Sequence, residues 1–121
     1  MTYESVTVVP SQVAEGVTYT VAKLSFARRM ELMRRVRDLT RHLEFLEAGQ
    51  EPAGTMEGAL LRANVDQLFL TWGLRAVSGL VIDGAAATPE LLAEAGPENL
   101  FREAVAAVRA ETGLNAAETK N

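Results

Sequence analysis

Cysteine is absent from the 121 residues. A disulfide framework and a thiolate metal site are therefore excluded, and the chain suits a reducing compartment. Histidine is nearly absent: His42 stands alone. A Ser–His couple would have only that one base to draw on, and a zinc site needs three or four ligands. No GxxxxGK[ST] phosphate loop and no GxGxxG turn occurs. No apolar run approaches the roughly 20 residues of a membrane span. Residues 1–10, MTYESVTVVP, lack the basic and apolar regions of a secretory signal, so an intracellular location is expected. Positive charge is also short. The net charge is -4, which disfavours nonspecific binding to phosphate backbones.

What is present is an ordinary globular composition, 48% apolar and 23% charged. The length suits one domain that buries roughly two-thirds of its unfolded surface. The expected fold is α+β, mainly α. It has an N-terminal β-hairpin over 1–24, a helical core over 25–112, and a polar tail over 113–121. Residues 4–9 and 17–24 are rich in Val, Thr and Tyr, and Val17, Tyr19 and Val21 alternate with Thr18, Thr20 and Ala22. That alternation reads as strand. Ser25 is a suitable N-cap for a helix to about residue 48, with Leu32, Val36, Leu39, Leu43 and Leu46 forming one stripe. A second helix is expected from about Thr55 to Trp72, with Leu61, Val65, Leu68, Phe69 and Trp72 as its core side. The short loop with Pro52 between them implies an antiparallel pair. Gly79 to Gly84 reads as a short buried strand that could join the hairpin. Thr88-Pro89-Glu90 opens a short helix. Pro97 opens a last one, with Phe101, Val105 and Val108 inward and Gly113 as C-terminal cap. Asn115 and Glu118 suit a capping-box turn in the tail.

Two features stand out as partner-binding candidates. Phe26, Met30 and Met33 lie on a second apolar side of the first helix, and Leu60 and Leu70 point away from the stripe of the second. A helix apolar on two sides needs two covers, and one can be another protein or a second copy of the chain. The other feature is arginine. Residues 25–42 carry six arginines against Glu31 and Asp38, a balance of +4, so the rest of the chain holds -8. Arg34, Arg37 and Arg41 lie opposite the leucine stripe. Such a cluster suits nucleic acid. It better suits a solvated face or an acidic partner, because Glu31–Arg35, Arg34–Asp38, Asp38–Arg41 and Arg41–Glu44 fall at helical pairing distances and no aromatic residues interleave to stack bases. His42 and the pairs Glu44/Glu47 and Glu90/Glu94 read as surface chemistry, so no catalytic site, metal or cofactor is expected.

The segments SFARRMELMRRVRDLTRHLEFLEAG at 25–49, LFLTWGLRAVSGLVIDGAAATPELL at 68–92, GPENLFREAVAAV at 96–108 and GLNAAETKN at 113–121 resemble the tail assembly chaperones of tailed bacteriophages and prophages. The resemblance covers about three-fifths of the chain. It departs at Thr119, where family members more often carry an acid before the terminal Lys-Asn. It implies a non-enzymatic, self-associating helper in the cytoplasm of a bacterial host, one that binds the tape-measure protein or another tail protein and keeps its apolar helices in solution. Two other readings stand beside it: a structural component of the tail or head–tail junction, and a small nucleic-acid-binding regulator using the Arg28–Arg41 helix.

Overall fold

The computed structural model describes residues 1–47 and 56–113, and the side chains of all of these except 42–47. The fold is α+β and mainly α, as expected. Strands β1 (Val6–Pro10) and β2 (Thr18–Ala22) form the antiparallel N-terminal hairpin, with Val8 opposite Thr20. β-Branched residues dominate both strands and suit a half-buried pleated surface. Tyr19 and Val21 point into the core and are fully buried, while Thr18 and Thr20 lie half-buried on the other face.

A third strand, β3 (Leu74–Ser78), pairs antiparallel with β2, giving the order β1-β2-β3. The strand that joins the hairpin therefore lies a few residues earlier than the expected Gly79–Gly84 run. Residues 79–84 instead start a separate small hairpin, β4 (Val81–Ile82) with β5 (Ala85–Ala86). Its turn is Asp83-Gly84, both at positive φ (50° and 82°). That is the two-residue Asp-Gly turn whose twist matches paired strands. Gly79 has a structural duty of its own. Its φ is +81°, and a Cβ there would collide with the Gly16 carbonyl oxygen, so the ends of two strand connections meet at this point.

Helix α1 (Phe26–Glu47) begins at the expected cap, with the Arg28 amide donating to Ser25 Oγ at 3.2 Å. Helix α2 (Met56–Gly73) lies antiparallel to it: Arg28, in the first turn of α1, reaches the carbonyl of Trp72 in the last turn of α2. Helix α3 (Pro89–Ala95) is capped by Thr88 Oγ1, which accepts from the Leu91 amide at 3.1 Å, with Pro89 at the first helical position. Helix α4 (Glu98–Thr112) buries Leu100, Ala104, Val105 and Val108 and ends on Gly113 in the left-handed region.

The layering follows from these faces. α4 packs on β2 and β3, and α2 packs on α4, α3, β3 and α1. α2 is therefore central, which explains why it is apolar around so much of its circumference. α1 is peripheral, and α2 is its main neighbour among the described elements. It contributes Leu32 and Val36 to the core through one side only. Leu43 and Leu46 of its stripe, the connecting loop with Pro52 and the Asn115–Glu118 turn lie outside the described residues or side chains.

Candidate partner-binding surface

Because α1 has essentially one covered side, the side chains opposite its leucine stripe face solvent. Phe26 is 81% exposed, Met33 47% and Met30 37%. Their spacing of four and three places them on one line along the helix. Adding four twice more brings Arg37 and Arg41 onto the same line, within about 80° of arc at 100° per residue, with Arg34 at its edge. All three arginines are exposed. Scattered exposed apolar residues are normal, but three aligned on one helix form a patch. Five of the eight expected partner-binding residues thus form one strip, and Arg34 borders it.

The two leucines of α2 part company. Leu60 is 57% exposed, as expected. Leu70 is fully buried, so its assignment to a partner surface is corrected. It lies in the half of α2 where Phe69, Trp72 and Gly73 are also buried. α3 and α4 both pack on α2, and Leu70 belongs to the same core cluster as Leu92 and Ala87. Its second cover is the chain itself.

The arginine cluster also divides. Arg28 is four residues before Leu32 and faces the interior side of α1. Its guanidinium stacks on the Trp72 ring with Cζ 4.2 Å from the centroid, and Nη2 donates to the Trp72 carbonyl at 2.9 Å. A cation at the carbonyl end of α2 also suits that helix dipole. Burial lowers the pKa of Arg28 from its ordinary value, and the charge of Arg75 adds to this against Glu31. Among the described residues, Arg28 Nε and Trp72 Nε1 are buried without a hydrogen-bond partner, a local penalty that the stacking offsets in part. The expected Glu31–Arg35 pair forms at 2.9 Å. Asp38 pairs with its neighbour Arg37 at 3.3 Å rather than with Arg34 or Arg41. The side chains of His42, Glu44 and Glu47 lie outside the description.

One polar cluster has no local signature in the sequence. The Glu103 carboxylate on α4 accepts from Ser11 Oγ at 2.5 Å, the Gln12 amide at 2.7 Å and the Tyr19 hydroxyl at 2.8 Å. Burial opposes its ionisation, but these bonds outweigh that and lower its pKa. Burial, then the bond to Glu103, pushes the Tyr19 phenol up to about 12. Ser11 Oγ also accepts from the amides of Val13 and Ala14 at 3.0 and 2.9 Å. With its lone pairs engaged it is poorly set up as a nucleophile. The cluster pins the β1–β2 connection to α4. A second tie joins α2 to α4: Arg109 binds Asp66 at 3.1 Å and stacks on Phe69, with Cζ 4.1 Å from the ring centroid.

Among the described residues no group of three or more His, Cys, Asp or Glu side chains could hold a metal ion, and no helix is long and apolar enough to cross a membrane. Comparisons with family models, curated proteins and solved structures find no match.

Proposed function

We propose that this chain is a non-enzymatic tail assembly chaperone of a tailed phage or prophage, working in the cytoplasm of the bacterial host. In this reading it binds apolar helical segments of the tape-measure protein while the tail tube polymerises. The observation that carries the proposal is the exposed line Phe26, Met30 and Met33 on a helix covered mainly by α2. A chaperone for amphipathic helices needs an apolar surface that stays in water until its client arrives, and methionine suits varied clients because its thioether chain adapts its shape. The sequence resemblance over 25–49, 68–92 and 96–108 supports the same reading.

Co-expression with the tape-measure protein of the same genome tests it. The tape-measure protein is expected to become soluble and to co-purify with the chain. Failure of both would refute the proposal. Quantifying the chain in purified particles separates a chaperone, which is absent from them, from a structural tail component, which is present in fixed stoichiometry.

A further inference from the structure

The strip on α1 has two parts in a fixed order. Its first half, Phe26, Met30 and Met33, is apolar, and its second half, Arg37 and Arg41, is cationic. At 1.5 Å per residue the line from Phe26 to Arg41 is about 22 Å long, four turns of helix. We infer that the strip takes a partner helix docked antiparallel to α1, with carboxylates in the partner's first two turns against Arg37 and Arg41 and apolar side chains in its next two turns against Met33, Met30 and Phe26. This rests on the chaperone reading and specifies which client segments the strip selects.

Charge identifies the occupant. Residues 25–42 carry +4 while the remainder of the chain carries -8, so an acidic helix is drawn to α1 and turned away elsewhere. A second copy is a poor occupant of this strip. Antiparallel pairing of two strips would set Arg37 and Arg41 of each copy against Met30 and Phe26 of the other, desolvating guanidiniums with no carboxylate on the facing strip. The antiparallel direction follows from helix dipoles: carboxylates are favoured in the first turns of a helix, and the opposed dipoles of the two helices attract. The existing contacts yield readily. Arg37 and Asp38 are each more than half exposed, so their pair is a weak competitor for a partner carboxylate. Among the described side chains, which exclude Glu44, Arg34 and Arg41 form no ion pair.

Two labelled 18-residue peptides of identical composition test the order rule by fluorescence anisotropy against the full chain. One carries glutamates in its first two turns and leucines in its last two; the other reverses the order. The glutamate-first peptide is expected to bind about tenfold more tightly at low salt, with the advantage shrinking as salt rises. In R37E/R41E its affinity should fall about tenfold, and a peptide with lysines in place of the glutamates should recover it. The charge swap separates docking order from the peptide's own helicity, and the recovered binding shows that the variant is folded. Equal affinity of the two orders, or an unchanged affinity in R37E/R41E, overturns the inference. If the chain solubilises the tape-measure protein yet shows no order preference, this inference falls and the chaperone reading stands. If the order preference and charge swap hold but the tape-measure protein is not retained, the chaperone reading falls and the strip serves another acidic helical partner.

Discussion

Replacing Tyr19 by phenylalanine removes one oxygen from the centre of the hairpin–α4 contact. The Tyr19 ring is fully buried, and its hydroxyl donates to Glu103 Oε1 at 2.8 Å, with the Leu100 carbonyl at 3.4 Å. A hydrogen bond to a charged acceptor is worth about 1.5–3 kcal/mol. Glu103 keeps its bonds from Ser11 and Gln12 in the variant, so no charge is orphaned and the expected loss is about 2 kcal/mol at neutral pH. The size of this loss should depend on pH. With the phenol pKa pushed up to about 12, the unfolded chain ionises Tyr19 first as pH rises through its ordinary value of about 10. The folded chain then binds more protons than the unfolded one, so wild-type stability falls between those two values and is lost through the folded pKa. Two units at about 1.36 kcal/mol each amount to roughly 2.7 kcal/mol, enough to erase the wild-type advantage near pH 12. Other groups titrating there cancel in the comparison of the two proteins. Urea unfolding followed through Trp72, the only tryptophan, reports both quantities. A loss under about 0.5 kcal/mol, or a gap between the two proteins that stays constant from pH 8 to 12, would refute the account of this cluster.

Other substitutions probe the remaining contacts. Leu70→Ala should destabilise by about 2–5 kcal/mol and Leu60→Ala by under about 0.5, as read by calorimetry; similar values for both would undo the distinction between buried and exposed leucine. Arg28→Ala should destabilise by about 1–2 kcal/mol and shift the emission of Trp72, because the stacked guanidinium and the bond to the Trp72 carbonyl go together. Gly79→Ala combines a left-handed φ with a backbone collision at Gly16, and a loss of about 3 kcal/mol in chemical denaturation is expected.

The elements with local punctuation were readable in advance. Ser25, Thr88-Pro89 and Gly113 mark their helix ends because capping is chemistry within three or four residues. β3 was hidden because Leu74–Ser78 follows the glycine that ends an apolar helix and is only five residues long, with no turn to set it apart. Asp83-Gly84 is a hairpin-turn pair, but with Gly79 before it the run Leu80–Asp83 also has the look of one short strand closed by a glycine. Leu70 is buried against expectation because a periodic stripe reveals one buried side and not how many neighbours surround a central helix. Tyr19 and Glu103 are 84 residues apart, so no local pattern joins them. Arg28 did leave a signal: it is one turn before Leu32, on the stripe side of α1, while Arg34, Arg37 and Arg41 are not. On the strip itself, five of the residues singled out from sequence alone fall on one line, because solvent exposure opposite a single apolar stripe is a direct consequence of helical period.

The chaperone proposal depends on the apolar half of that strip, and Met30→Glu/Met33→Glu tests it most directly. Both side chains are exposed, so the variant should unfold at the wild-type denaturant concentration. Co-expressed with the tape-measure protein, the wild-type chain is expected to hold it in the soluble fraction, and the variant to recover about a fifth as much or less. Equal recovery of soluble tape-measure protein by the two, with both folded, would contradict the proposal that this face carries the binding.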